Sequence, residues 1–277
     1  MFSFDPPPVQ MPIVQDDYYK SYNSGPPIAE RDPKYIKWLQ VSVKIMVSQY
    51  SGSGTIIYYD GKEYAYIQSC GHLWDGNMSA EQGKSRKITC RIAIWYQNGK
   101  KLANRKEYEA EVLYYSNVRG YDCSLLRFKP DWYADYIPIA PLSYPIIDSD
   151  RLPLFPNKIY HSCGCDHGSE VANYSVKIIK LETDYITKEN SPRPGRSGGG
   201  LMTDDYYIGI CWGTSDVNGT GTGLFTPLSV VRELNKREGY GWLNDVGNAF
   251  VARKIPIIDR NNAQKTYPDD YIPVPNP

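Results

Sequence analysis

Residues 192 to 203 read PRPGRSGGGLMT, with Gly195, Gly198, Gly199 and Gly200 set around one arginine and one serine. Ordering a glycine costs more backbone entropy than ordering any other residue, so four within six positions need a reason. A flexible linker is one reading and a tight turn is the other. A tight turn would hold Ser197 between backbone N–H groups free to point at a ligand. That arrangement suits acyl transfer, because the hydroxyl can attack a carbonyl while the N–H groups of Gly195 and Ser197 converge on the developing oxyanion. A serine hydroxyl is a poor nucleophile alone, so this reading demands a histidine base and a carboxylate to orient it.

The chain has three histidines. His161 and His167 lie together in YHSCGCDHG, and His72 ends GSGTIIYYDGKEYAYIQSCGHLW, where a strand, a turn and a second strand precede it. In RGYDCSLLRFK, Asp122 opens an apolar strand, where a carboxylate can be buried beside an imidazole. The order is His72, Asp122, Ser197.

These three contexts in this order resemble the trypsin-like (chymotrypsin-fold) serine peptidases, most closely a bacterial and phage-type branch. GSGTII…YIQSCGHLW is similar to that family's strand, turn and histidine segment, and YDCSLLRF to its aspartate segment. GRSGGGLM…YYIGICWG…GLFTPLSVV is similar to its serine loop, substrate-binding strand and terminal helix. The likeness runs from about Ser51 to Leu234. It implies that Ser197 is the nucleophile, His72 the base and then acid, and Asp122 the orienting carboxylate, with Gly195 and Ser197 supplying the oxyanion N–H groups. Cys211, Trp212 and Gly213 would form the edge that pairs with substrate as an added strand. Ser191, Gly213 and Gly223 would line the pocket for the residue before the cut. The resemblance implies a polypeptide substrate and no cofactor.

Three departures stand out. Arg196 occupies the place of the aspartate that secreted members use to bind a freed amino terminus, which argues against activation by propeptide cleavage. Taken alone, Arg196 reads as a solvated turn residue. Cys211 replaces a serine, and Cys70 precedes His72 where many members have a cysteine after it, so that familial disulfide is not expected. With Ser191 at its base the pocket is uncharged, which disfavours a strict Lys/Arg preference.

His161, Cys163, Cys165 and His167 invite a metal reading. If all four shared one strand face they would spread over roughly 20 Å at about 3.3 Å per residue, too far for one ion. They are expected to be structural, with no metal site. Cys90 and Cys123, in apolar runs, are expected to be packed thiols.

Short β-type runs with close turns fill the body, among them VSVKIMVS, KITCRIAIWYQ, YEAEVLYYS, KIYHSC and YSVKIIKLE. With almost no helical periodicity, they indicate an antiparallel barrel or sandwich. Joined to the resemblance, the expected fold is all-β: two six-stranded antiparallel β-barrels, one at about 37–140 and one at about 150–228. A C-terminal helix at about 227–238 would complete a peptidase domain spanning 37–243. In PLSVVRELNKR, Val230, Val231 and Leu234 mark its apolar face. Residues 1–36 and 244–277, rich in proline, are expected as an extended arm and an irregular tail outside the barrels.

Of 277 residues, Lys+Arg and Asp+Glu are 31 each, giving zero formal charge and a pI of about 6.8. No basic field exists to hold nucleic acid or an anionic membrane. The start MFSFDPPPVQ lacks the basic and apolar regions of a secretory signal, so the expectation is a soluble protein of the cytoplasm or of a viral particle, its six cysteines reduced. The 25 tyrosines suit amphipathic strands or an interface. The competing function is a non-catalytic or self-processing subunit of a larger, virion-like assembly, held through the arms.

Overall fold

In the computed structural model, the described residues are 36–47, 50–59, 63–74, 88–98, 101–130, 158–203, 206–215, 221–246, 257–258 and 265–266. The elements run α1 (Ile36–Val41), β1 (Ser42–Val47), β2 (Tyr50–Tyr59), β3 (Ala65–Ser69), β4 (Ile88–Asn98), β5 (Lys101–Ser116) and β6 (Cys123–Phe128). The second half has β7 (Tyr160–Gly164), β8 (Ala172–Leu181), β9 (Tyr185–Lys188), β10 (Gly200–Met202), β11 (Tyr207–Thr214) and β12 (Gly223–Pro227). Then come α2 (Leu228–Arg237), α3 (Leu243–Val246) and a two-stranded pair, β13 (Ile257–Ile258) with β14 (Lys265–Thr266).

Strands β1-β2-β3-β6-β5-β4 close one antiparallel barrel and β10-β11-β12-β9-β8-β7 close a second. Closure removes most of the open sheet edge, so each barrel can be built from short strands. The two six-stranded barrels and the terminal helix stand as the sequence predicts. In the first barrel Val43, Ile45, Ile56, Ile67, Ile92 and Leu126 fill the interior. In the second, Tyr160, Val176, Tyr185, Leu201, Ile208 and Phe225 do so.

Helix α2 buries Leu228, Val231 and Leu234 in the cluster that contains the first barrel's interior, while Val230 is half-buried. Asn235 fixes the docking: its Oδ1 accepts from the Tyr114 hydroxyl of β5 at 2.5 Å, and that hydroxyl accepts from Gln68 Nε2 at 3.2 Å. The C-terminal helix thus returns from the second barrel and ties it to the first.

Three local readings need correction or extension. α1 precedes β1, with Trp38, Leu39 and Val41 of IKWLQV buried. α3 crosses the boundary drawn at 243, and β13–β14 lies in the tail expected to be irregular. The remainder of the proline-rich arm and tail lies outside the described residues. Among the described residues, no helix is long and apolar enough to cross a membrane.

Candidate active site

His72 opens a single 3₁₀ turn (His72–Trp74) just beyond β3, anchored by buried Leu73 and Trp74. Asp122 immediately precedes β6, which pairs with β3 so that Ser69 faces Ser124. This register brings together two residues 50 positions apart: Asp122 Oδ2 lies 2.6 Å from His72 Nδ1. Asp122 Oδ1 accepts from the backbone N–H groups of Gly71 at 2.6 Å and His72 at 2.9 Å. The carboxylate is 4% exposed and fully engaged, which holds the imidazole with its proton on Nδ1 and leaves Nε2 as the acceptor. The Asp122 carbonyl accepts from Thr226 of β12 at 3.3 Å, a bond from the other barrel.

Ser197 sits in the turn before β10. Gly195 has φ +94° and Gly198 φ +86°, backbone that L side chains rarely adopt. A Cβ on Gly198 would meet the Ser53 carbonyl at 2.0 Å and the Cys70 N at 3.1 Å, so the Ser197 turn lies hard against the segment leading into His72. A Cβ on Gly195 would meet the Cys165 carbonyl at 2.4 Å. The glycines therefore make a tight turn and not a linker.

Ser53 of β2 clamps this turn from the first barrel. Its N–H donates to the Ser197 carbonyl at 2.7 Å and its hydroxyl to the Gly195 carbonyl at 2.7 Å, while it accepts from Cys165 N–H at 2.8 Å. On the other side, Gly198 N–H donates to the Cys211 carbonyl and Cys211 N–H to the Gly199 carbonyl, at 2.6 and 2.8 Å. With both carbonyls of the turn taken, the N–H groups of Gly195 and Ser197 have no hydrogen-bond partner among the described residues. Two neighbouring donors left free are what an oxyanion requires. The Ser197 hydroxyl likewise makes no hydrogen bond there, and the neighbour of His72 Nε2 is the Cys70 sulfur at 3.7 Å. Catalytic hydrogen bonds of unliganded sites are often long and tighten only with substrate bound.

Burial works to lower the His72 pKa, but charge at Cys70 and the Asp122 hydrogen bond outweigh it, and the imidazole is held above its ordinary range. Burial also raises the Cys70 thiol.

The proposed pocket residues adjoin one another. Ser191, buried, shares a 2.7 Å hydrogen bond with Thr214, and Thr214 donates to the Thr222 carbonyl at 3.1 Å. A Cβ on Gly223 would meet Thr187 and Pro192 at 2.6 and 2.7 Å, whereas one on Gly213 meets nothing within 4 Å. Ser191 and Thr214 bring neutral hydroxyls to this group. Strand β10 pairs with β11 only as far as Ile210, and beyond Cys211 the β11 ladder continues on the β12 side alone. One flank of Trp212–Gly213 is thus open among the described residues to an added strand. The Trp212 indole is fixed by Asp184, whose Oδ1 accepts its N–H at 3.0 Å.

Arg196 departs from the sequence reading. It is not solvated: its side chain is 1% exposed, in a bidentate ion pair with Asp166. The metal-tempting group is also arranged differently from the single strand face considered above. His161 and Cys163 lie on β7, but the strand ends at Gly164, and His167 sits at φ +52° in a 3₁₀ turn (Asp166–Gly168). Asn173 bonds both His161, at 3.2 Å, and Cys163, at 3.5 Å.

Cys70, His72 and Asp122 place one potential metal-ligating atom each within 4.8 Å of one another. With both Asp122 oxygens taken by three hydrogen bonds, Sγ and Nε2 are the donors left, short of the three or four protein ligands of a zinc centre. None of the six cysteines is in a disulfide and all six are buried, Cys90 and Cys123 among them.

Ser53, Asp166, Tyr174 and Asp184 escaped the sequence reading. The small-residue run Gly52-Ser53-Gly54 was the one available signal, since adjacent glycines mark a close backbone approach.

No protein-family model and no curated protein matches the sequence. Solved structures do match the fold. A serine endoprotease from Yersinia pestis is 19% identical with a TM-score of 0.52, the match covering 74% of this chain and 65% of that one. Rv3671c from M. tuberculosis H37Rv, in an inactive form, is 17% identical with a TM-score of 0.52, covering 77% and 96%. Deg5 is 14% identical with a TM-score of 0.54, covering 82% and 98%. The closure of two six-stranded barrels and these likenesses give one result: the chain has the double-barrel fold of the trypsin-like (chymotrypsin-fold) serine proteases.

Proposed function

We propose that this chain is a serine endopeptidase acting through an acyl-enzyme. Ser197 Oγ attacks the scissile carbonyl as His72 Nε2 takes its proton. Asp122 holds Nδ1–H and stabilises the imidazolium, and the N–H groups of Gly195 and Ser197 receive the oxyanion. His72 then protonates the leaving amine, and water deacylates Ser197 by the same steps in reverse. The supporting observation is the Asp122–His72 pair at 2.6 Å beside a glycine-bound turn whose two N–H donors are free among the described residues. Trp212–Gly213 would pair with the substrate backbone. The neutral floor of Ser191 and Thr214 favours an uncharged residue before the cut, since a Lys or Arg there would be buried without a counter-charge. Six thiols outside any disulfide fit a reducing compartment.

The test is labelling with a fluorophosphonate, which needs nucleophile, base and oxyanion hole together. Ser197 alone should be modified, and Ser197→Ala should not label while its melting temperature stays within about 3 °C, the shift of roughly 1 kcal/mol at this size. A folded wild-type protein that does not label is instead a non-catalytic subunit of the kind the proline-rich arms suit. Label that persists in Ser197→Ala refutes the assignment of the nucleophile.

A further inference from the structure

Arg196 stands between the two residues whose N–H groups are free, yet its side chain runs into the protein. Nε donates to Asp166 Oδ1 at 2.7 Å, one terminal nitrogen donates to Asp166 Oδ2, and the other donates to the Asn190 carbonyl at 2.8 Å. The guanidinium carbon lies 3.5 Å from the centre of the Tyr174 ring. Burying a guanidinium is costly, and its attraction to a carboxylate only about offsets the desolvation, so such a pair is poorly explained as a stabiliser of the fold. Its fork geometry is directional, however, and fixes what it joins.

Here it joins three pieces of chain. Asp166 opens the 3₁₀ turn that follows β7, and the next residue's N–H donates to the Pro194 carbonyl at 2.5 Å. Asn190 and Glu189 hold φ of +45° and +65°, which non-glycine residues keep only where their surroundings impose it. The third piece is the Ser197 turn itself, where Arg196 N–H donates to the Arg193 carbonyl at 3.0 Å and Gly199 N–H to the Arg196 carbonyl at 2.8 Å. With the Arg196 side chain drawn inward, rotating the adjoining peptides would break the fork, the stack and the Asn190 bond together.

We propose that the Arg196–Asp166 pair, stacked on Tyr174, is a positioning lock that keeps the Gly195 and Ser197 N–H groups directed at the reacting carbonyl. Competence of the site then rests on a charge pair internal to the chain and not on a freed amino terminus. The inference builds on the peptidase reading but has a readout of its own.

The variants are Asp166→Asn, Arg196→Lys, which keeps the charge and loses the fork and stack, and the exchange Arg196→Asp/Asp166→Arg. Amide hydrogen exchange over 193–199 reads the lock without reference to activity, and protection there should fall in both single variants while the barrel strands stay protected. Fluorophosphonate labelling should slow by about 100-fold, the cost of misplacing reacting groups by about 1 Å, with KM for a peptide substrate changed by less than about threefold. The exchanged pair should recover part of both losses. Unchanged loop protection in folded Asp166→Asn and Arg196→Lys overturns the lock. Loosened loops that label at the wild-type rate overturn its role in positioning the donors. If wild-type protein does not label, the peptidase reading fails and the exchange data alone decide whether the lock exists.

Discussion

Replacing Asp122 by asparagine tests the site's electrostatics with almost no change of shape. Asp122 Oδ1 accepts from two backbone N–H groups, at 2.6 and 2.9 Å, and Oδ2 lies 2.6 Å from His72 Nδ1. An asparagine must keep its carbonyl oxygen on the two N–H groups, because turning the amide round would set NH₂ against both donors. Its NH₂ then faces Nδ1, which has to become an acceptor, and the imidazole proton moves to Nε2. The nitrogen meant to receive the serine proton already holds one. Rate should fall by about 10⁴, the loss known for a triad carboxylate replaced in this way, or about 5.4 kcal/mol at 1.36 kcal/mol per decade. Folding should be nearly unaffected, since the number of buried hydrogen bonds is conserved. Peptide-ester hydrolysis and fluorophosphonate labelling at fixed pH measure the rate, and a thermal melt checks the fold. A loss below about tenfold would mean that His72 does not depend on Asp122 for its tautomer, and the triad assignment would fail.

Three further outcomes follow from the same geometry. Because its interactions with Cys70 and Asp122 hold His72 above its ordinary range and the base acts when neutral, activity should rise with pH through a midpoint above about 6.5; a pH–rate profile measures it, and a midpoint below that range would contradict the raised imidazole. Gly198→Ala puts a methyl 2.0 Å from the Ser53 carbonyl at φ +86°, so it should cost about 3 kcal/mol or more, lower the melting temperature by roughly 6–12 °C and abolish labelling; an unchanged melt would contradict the close approach. Chelator treatment should leave activity unchanged, and stoichiometric zinc in elemental analysis would overturn the metal-free mechanism.

How far these features could be read from the sequence depends on how local their causes are. Strands β2, β3 and β6 announce themselves because short apolar runs and the turn residues that bound them act within a few positions. The Ser197 turn is legible for the same reason, since positive φ at Gly195 and Gly198 leaves a glycine signature whatever the rest of the chain does. Arg196 was misread because its burial depends on Asp166 and Tyr174, 30 and 22 positions away, and nothing beside it in sequence reports them. α1 was missed because its six residues are too few for a helical period to show against the strand that follows. The contact of Cys70 with His72 Nε2 escaped because two residues apart in a strand face opposite ways from their neighbour but far from each other, and only the 3₁₀ turn after β3 folds the imidazole back over the thiol.

In the proposed mechanism the chemistry is divided between the barrels, and polar bonds set their alignment. His72 and Asp122 belong to the first barrel and Ser197 to the second, so the distance over which a proton must pass is fixed across the junction. Apolar packing alone would fix it poorly, because burial is roughly proportional to area and indifferent to small sliding. Hydrogen bonds weaken steeply with angle and distance, and the junction carries several. Ser53 holds the Gly195 and Ser197 carbonyls, Thr226 holds the Asp122 carbonyl, and Tyr114 holds Asn235 on the returning helix. Each of these lies within a few residues of a proposed catalytic group or on the helix that closes the two barrels together. The same bonds explain why the oxyanion donors stay free. Ser53 occupies the carbonyls of the turn, Arg196 draws its side chain inward, and among the described residues the N–H groups of Gly195 and Ser197 are left without a partner.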